Sequence, residues 1–439
     1  MKKYDNYKDS GIEWIGDIPS NWSSTKLKFH TKKIIDGAHF TPTYIEKSND
    51  SIPFLRVTDL HSKEILLDEV KYIPTSEHQE LIKRCNPEVG DLLLSKNGTI
   101  GLMKIIDWDW EFSIFVSLCL LKFEKTLLNK FFFYFFESNI VDRQLFESSQ
   151  KTSVSNLHLE KIKELRLTLP PIEEQTTIAN YLDHKTTQID TLIAKKEQFI
   201  SLLQEERTAV INQAVTKGLD PKVKMKDSGI EWLGEIPEHW EVKKLKFVSK
   251  ITRGAILRPV DEPSYFDDNG EWTYLNISDA TICDKYLDYG KLRLSELGST
   301  KSARVEPNNL IITASATIGK PFINKIPVCV HDGFIPITEL KVNIDFLYNY
   351  FKNPQLFNGL GKSNTQKNIY LEDVKNLIIP IPNLEEQLLI ARYIEEEIIR
   401  IETLISKSLQ EIELLKEYKT ALISEVVTGK VDVRDVILN

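Results

Sequence analysis

The chain has 439 residues, with 56 Lys and Arg against 64 Asp and Glu, for a formal net charge of −8. That length supports two to four domains, each with its own core, and 41% hydrophobic with 27% charged residues excludes wholesale disorder. Read as an average, the negative balance argues against nucleic acid as a partner, but an average describes no single face.

In chain order, the opening MKKYDNYKDSGIEW has two lysines and no apolar run, so no secretory signal is expected and the expected location is cytoplasmic. Residues 8–29, KDSGIEWIGDIPSNWSSTKLKF, form a turn-rich block holding Trp14 and Trp22, which are expected to wedge the following body against a helix. Short β-rich runs come next, at 52–57, 91–94 and 115–123, separated by Gly, Pro, Asn and Asp. Residues 131–136 (FFFYFF) predict a helix that is aromatic on every side, which belongs in a core rather than against bases, and which is far too short to span a bilayer. The body at about 25–160 is therefore expected to be α+β.

A rod follows. Pro170-Pro171 and then Glu173-Glu174 put proline and acid at a helix start. From there apolar residues fall on a heptad frame: Leu182, Ile189, Leu203 and Val210 in one position, with Ile193, Ile200 and Ala214 four further on. Lys196 and Arg207 break the seam, and Gly218 with Pro221 ends it. About 40 residues make a rod of roughly 60 Å.

The chain then begins again. Residues 226–247, KDSGIEWLGEIPEHWEVKKLKF, repeat 8–29 without a gap at an offset of 218, and carry the second tryptophan pair, Trp232 and Trp240. In the second body (about 245–375), NNLIITASATIG at 308–319 echoes GDLLLSKNGTIG at 90–101, and DFLYNYFKN at 345–353 echoes FFFYFFESN at 131–139. The second rod repeats the first at an offset of 212, from Glu385-Glu386-Gln387 to Val427-Thr428, with Ser408 and Lys419 breaking its seam. Asn383 and Glu386 have capping-box spacing, and Gly429 stops the helix. Four blocks in the same order make this a tandem duplication of about 215 residues.

Catalytic signatures are missing. Gly361-Lys362-Ser363 resembles the end of a phosphate-binding loop, but position 356 is Leu where glycine is needed. No G-x-S-x-G, H-E-x-x-H or G-x-G-x-x-G occurs, and the eight histidines show no metal-ligand spacing. Cys85, Cys119, Cys283 and Cys329 are scattered without a C-x-x-C, the pattern of reduced thiols. The chain is expected to be no enzyme, with no metal and no cofactor of its own. Rods that keep their sequence must meet the same thing twice, whereas bodies that diverge must meet two different things. That is the logic of a bivalent reader on a repeated docking platform.

The paired GIEWIGDIP…W…KLKF block, the GDLLLSK element, the LPPIEEQ helix start and the V-T-x-G exit resemble the specificity subunit of a type I restriction–modification system, over essentially the whole chain. The resemblance implies an internally duplicated α+β fold. Two α/β target-recognition domains would be joined by two long antiparallel coiled-coil-like helices with pseudo-two-fold symmetry. Its expected boundaries are 1–160 and 221–375 for the recognition domains, and 161–220 and 376–439 for the helical regions. It implies double-stranded DNA read as two half-sites, two methyltransferase subunits docked on the helices, and two restriction subunits added to that core. S-adenosylmethionine, and ATP with Mg for restriction, would belong to those partners.

Candidate DNA contacts are polar, lysine-bearing loops at equivalent places in the two bodies. In the first they are His39, Thr41, Thr43, Lys96, Asn97, Lys151, Thr152 and Ser153; in the second, Arg253, Arg258, Thr313, Ser315, Lys362, Asn364, Gln366 and Lys367. Glu174, Gln175 and Tyr181, with their copies Glu386, Gln387 and Tyr393, are the expected partner-binding positions on the rods. The bodies hold 15 basic against 19 acidic residues at 30–160 and 15 against 15 at 248–375, while 376–439 holds 7 against 12. Per residue the second rod is thus the most acidic stretch, and it need not face DNA. One departure between copies, Asn276-Ile277-Ser278-Asp279 against Arg56-Val57-Thr58-Asp59, is expected to alter a contact near DNA. Two other functions remain open at this point: a bivalent DNA-binding protein acting alone, and a coiled-coil interaction scaffold. If the rods act as a ruler, adding one helical turn near residues 215–217 alters the unread spacer and leaves both half-sites unchanged, as methylome sequencing will register.

Overall fold

The computed structural model describes residues 2–62, 64–147, 156–315, 318–357 and 369–438. They form two compact units, residues 1–196 with 409–439, and residues 197–408. Each unit contains one body and a stretch of both rods.

In the first unit, a four-stranded antiparallel sheet runs in the order Thr31–Asp36, Leu118–Phe123, Leu92–Ser95, Met103–Ile105. A smaller sheet holds Lys71–Pro74, Ser51–Leu55 and Ser113–Ile114, the last pair parallel. Successive side chains of a strand point to opposite faces. Leu92, Leu94, Cys119 and Leu121 therefore join one core, built on Phe131, Phe132 and Phe135 of the aromatic helix Asn129–Phe136. Leu93, Leu118 and Leu120 join another with Leu55 and Ile114. A strand buried on both faces needs no polar positions, so Leu92–Leu94 reads as an unbroken apolar run.

The second unit follows the same plan with one more strand in each of the two sheets. Its five-stranded sheet runs Lys250–Ile251, Phe334–Thr338, Leu310–Thr313, Pro321–Asn324, Tyr286–Leu287. Leu310, Ile312, Ile335 and Ile337 face Phe346 and Tyr350 of the helix Ile344–Phe351, while Ile311, Phe322 and Phe334 face the opposite way. A four-stranded sheet of Leu292–Leu294, Trp272–Leu275, Val328–Val330 and Ala303–Val305 lies in the same body. Cys85, Cys119 and Cys329 are buried free thiols, and burial pushes Cys85 up to about 11.

The rods are the helices Ile172–Lys217 and Leu384–Val427, 46 and 44 residues and hence about 65–70 Å. Both stop signals act as expected: Gly218 and Gly429 have φ of 74° and 73°. In the first unit, the start of one rod lies antiparallel to the end of the other. Lys419 Nζ reaches Asp190 at 2.7 Å, and Lys196 pairs with Glu411. In the second unit, Arg400 reaches Glu206 at 2.6 Å and Arg207 reaches Glu402 at 3.5 Å. Three of the polar seam breaks, Lys196, Arg207 and Lys419, are thus cross-helix ion pairs. Exposed pairs of this kind add little stability but set direction and register. Of the expected seam positions on the first rod, Ile193, Ile200 and Val210 are only half-buried. Ile211, not Val210, is buried, because a 3.6-residue helix drifts by about 20° per heptad against a 3.5 repeat.

Each opening block is fastened to a rod. Ser23–Lys26 pairs antiparallel with Arg166–Leu169, and Glu241–Lys244 with Ile378–Ile381, the strands that lead into the two rods. Trp22 is fully buried and its Nε1–H donates to Glu174 at 3.0 Å; Tyr4 Oη and Asn21 Nδ2 donate to the same carboxylate at 2.6 and 3.1 Å. Trp240 and His239 meet Glu386 in the same way, at 3.0 and 2.8 Å. Asn383 Oδ1 does accept the Glu386 N–H at 2.9 Å, but the Glu386 side chain is turned to Trp240 instead of completing a capping box. Truncating Glu174 to Ala strands a buried indole N–H and a buried tyrosine hydroxyl, at a cost of about 2–3 kcal/mol in urea unfolding. Glu386→Ala, at a more exposed carboxylate, is expected to cost less.

Candidate nucleic-acid interface

In each body, the loops that leave the two sheets meet at one short segment. In the first body it is residues 114–118. The Ala38 N–H donates to the Ile114 carbonyl at 2.8 Å, the Phe115 N–H to Leu55 at 2.9 Å, and the Lys96 N–H to Ser117 at 2.8 Å. Ser117 Oγ accepts the Val57 N–H at 3.3 Å. The loops at 37–44, 56–60 and 95–98 therefore converge on one end of the body. In the second body, residues 330–334 take this part: Ala255 N–H donates to Val330 at 2.9 Å, Gly254 N–H to Phe334 at 3.1 Å, and Ala314 N–H to Gly333 at 2.7 Å. Gly37 and Gly254 mark the closest approach. A Cβ there would lie 2.0 Å from the Ile114 oxygen or 1.9 Å from the His331 oxygen, so only glycine fits.

The framework is shared, but its lining is not. Asp36, just before the first of these glycines, is buried and accepts from Arg84 Nη2 at 2.6 Å and from His39 Nε2 at 3.0 Å. Lys96 Nζ completes the cluster at 3.1 Å. Burial alone would raise the Asp36 pKa, but the bonds from His39, Lys96 and Arg84 outweigh it and hold the carboxyl at about 2. A cavity of about 270 Å³, lined by His39, Phe40, Leu81 and Arg84, opens beside the cluster. In the second body, the residue before the glycine is Arg253, which lies 3.9 Å from the Asp332 carboxylate and donates to its backbone carbonyl at 3.4 Å. Ala314 stands where the first body has Lys96. The neighbouring His331 is largely buried, which lowers its pKa, and its Nδ1 accepts the Gly333 N–H at 2.9 Å.

Of the expected DNA contacts, His39 and Lys96 meet at Asp36, and Asn97 follows on the same loop. Thr41 and Thr43 are exposed, with the Thr43 N–H donating to Glu77 at 3.1 Å. Arg253 and Arg258 are exposed and Ser315 is half-buried. Two expectations are corrected. Lys96 is only 6% exposed and its ammonium is engaged by Asp36, and Thr313 is buried with its hydroxyl accepting the Lys320 N–H at 3.1 Å. Both are internal supports of the loops, not groups held out to a ligand. Lys151, Thr152, Ser153, Lys362, Asn364, Gln366 and Lys367 lie outside the described residues.

Four of the six rod positions are turned inward likewise. Glu174 is occupied by Trp22, and Gln175 is fully buried: its Oε1 accepts the Leu128 N–H at 2.8 Å and its Nε2 donates to the Pro170 and Thr126 carbonyls at 2.9 and 3.0 Å. Gln387 makes the matching bonds to Asn343 and Pro382, at 2.7 and 2.8 Å. Tyr181 is buried, whereas Tyr393 is 39% exposed. Arg56, at the noted departure, is held bidentately by Asp59, and Asp59 and Asp279 accept the N–H of Arg56 and Asn276 at 2.7 and 2.9 Å. This capping contact is kept in both copies, leading into a 3-10 helix Val57–Leu60 in the first and an α-helix Ile277–Ile282 in the second. Sequence reasoning missed Asp36, Arg84 and Asp332, whose one legible signal is the duplicated glycine beside Asp36.

Among the described residues, no group of three His, Cys, Asp or Glu could hold a metal, and no helix is long and apolar enough to cross a membrane. The architecture is that of a duplicated recognition protein: two bodies on one framework, differing in the lining of their converging loops. The family profile described as type I restriction modification DNA specificity domain matches residues 28–201 and 237–414, and the chain belongs to that family. It is similar to the putative type I restriction enzyme MjaX specificity subunit of Methanocaldococcus jannaschii, at 26% identity over 98% of both chains. It is also similar to the EcoBI specificity subunit of Escherichia coli, at 26% identity over 88% of this chain and 81% of that one. In fold it resembles the crystal structure of the HsdS subunit from Thermoanaerobacter tengcongensis, with a TM-score of 0.60, 17% identity, and 94% and 98% of the two chains covered. A chain from a study of complex assembly and conformational transition in the type I R-M system gives a TM-score of 0.69 at 16% identity, covering 94% and 99%. The protein is thus a non-catalytic, DNA sequence-recognition subunit of a type I restriction–modification system.

The Asp36 cluster has a pH signature. Its carboxyl ionises at about 2, against about 3.9 when unfolded, so its contribution is complete above pH 4 and is lost as pH falls towards 2. Asp36→Asn, which leaves Lys96 buried without its counter-charge, is expected to cost about 3 kcal/mol at pH 7. In denaturant titrations the gap to the parent protein should narrow between pH 4 and 2, and Lys96→Met in the same chain should recover part of it.

Proposed function

We propose that each body reads one half of a split, asymmetric site in double-stranded DNA through its converging loops, while the helical regions dock two methyltransferase subunits. The functional division runs 1–160, 161–220, 221–375 and 376–439. One observation carries this reading: around the same glycine framework, one body has Asp36 and Lys96 where the other has Arg253 and Ala314, and the first adds His39 and Arg84 where the second adds His331 and Asp332 from a different segment. Side chains that read base edges must differ when the bases differ, whereas the backbone that aims them need not. His39, Thr41, Thr43 and Asn97 in the first body, and Arg253, Arg258 and Ser315 in the second, are the described side chains available for this, together with 151–153 and the set at 362, 364, 366 and 367. The subunit needs no cofactor; S-adenosylmethionine, and ATP with Mg, act on the methyltransferase and restriction partners in the cytoplasm. Exchanging residues 30–160 for those of another family member, in cells that also supply the methyltransferase, should change one half-site of the methylome and leave the other intact. A change in both half-sites, or methylation by the chain alone, overturns the reading.

A further inference from the structure

The duplicated opening block has been kept largely by what it does inside each unit. Ile18, Trp22 and Leu27, and their copies Ile236, Trp240 and Leu245, are fully buried. Burial cannot account for its last residue. Phe29 is 67% exposed and its copy Phe247 is 62% exposed, and within the block these are the large apolar side chains left more than half exposed. They are not ends of a mobile loop. Each sits in a short 3-10 turn, Leu27–His30 or Leu245–Phe247, whose leucine is anchored in the core. The Leu27 N–H donates to Leu165 and the Leu245 N–H to Leu377, both at 2.8 Å. A rigid turn therefore holds an aromatic ring out to solvent, twice.

The surroundings repeat as well. Lys28 Nζ lies 5.4 Å from the centre of the Phe29 ring, and Lys246 Nζ lies 5.6 Å from that of Phe247. Just beyond each ring the main chain is tied towards a rod. The His30 carbonyl accepts the Glu124 N–H at 2.9 Å, and Thr126 is bonded to Gln175; the Val248 carbonyl accepts the Lys341 N–H at 2.8 Å, and Asn343 is bonded to Gln387. The first residues of the two rods, Ile172 and Leu384, are exposed apolar side chains too, at 37% and 60%. The patches differ in one respect: Lys26 and Lys28 both clasp Glu164, whereas Lys246 has the neutral Asn376.

We propose that Phe29 and Phe247 are equivalent anchors for the two methyltransferase subunits, each ring entering an apolar pocket rimmed by carboxylates on that partner. The proposal rests on the reading that this chain docks two methyltransferases. DNA half-sites that differ give no reason to keep one exposed aromatic in both bodies, but a partner present in two copies does. A rigid, exposed aromatic beside a cation is the type of residue that dominates the energy of a protein interface.

The test is the full chain co-expressed with the methyltransferase of its own system, with bound subunits counted by native mass spectrometry. Phe29→Ser and Phe247→Ser should each weaken one of the two sites by about tenfold or more, and the double variant should weaken both. Because both rings are exposed, melting should be unchanged, and the charge reversals Lys28→Glu and Lys246→Glu should act in the same direction. A double variant that binds two methyltransferases as tightly as the parent overturns the anchor and leaves the docking reading standing. A parent chain that binds none overturns both. Loss of DNA affinity, or of restriction subunits alone, with methyltransferase binding intact assigns the patch to another partner and overturns the proposal.

Discussion

A carboxylate at the head of each rod, buried in the first and half-buried in the second, organises what surrounds it. Glu174 is removed from water, so its charge must be met by donors from the protein. The opening block supplies three: the Tyr4 hydroxyl, the Asn21 amide and the Trp22 indole. The next residue, Gln175, completes the clamp by satisfying backbone groups of the loop before the aromatic helix and of the proline before the rod. Glu386 and Gln387 repeat the arrangement in the second unit. Two adjacent side chains thus fasten opening block, body and rod together, and their position in the first turn of a long helix adds favourable dipole interaction.

On that mounting the bodies can diverge without losing their form. Each has central strands buried on both faces, one face packed on the aromatic helix and the other on the second sheet. Stability is carried by leucine, isoleucine and phenylalanine far from the loops. The end where the loops meet is fixed by backbone hydrogen bonds and by one glycine in each body, so side chains there are free to change. The Asp36 cluster and the Arg253 and Asp332 pair are two occupants of one frame, as expected of a fold that recognises different sequences with one construction.

Much of this was legible in the chain itself. The duplication, the two rods with their start and stop signals and the aromatic helices as core all follow from periodicity and punctuation. The rods' polar breaks were visible as positions, but their partners were not, since Lys419 and Asp190 are 229 residues apart. Lys96 looked like a loop lysine because its loop is polar, and nothing in the local sequence reports that Asp36 lies 3.1 Å from its amine. The repeated Glu-Glu-Gln looked like a docking motif because repetition was its visible property; its inward use appears only once tryptophan and carboxylate are brought together.

By itself, then, the sequence determined everything that depends on local pattern: two bodies, two rods, no catalytic signature, and a family. Backbone preference and hydrophobic period act within a few residues, so they can be read off a string. Tertiary structure decided which of the repeated residues face inward and which face out. It spent Glu174, Gln175 and Lys96 inside the protein and left Phe29 and Phe247 in solvent. Exposure is a property of neighbours contributed by distant parts of the chain, and no local period encodes it.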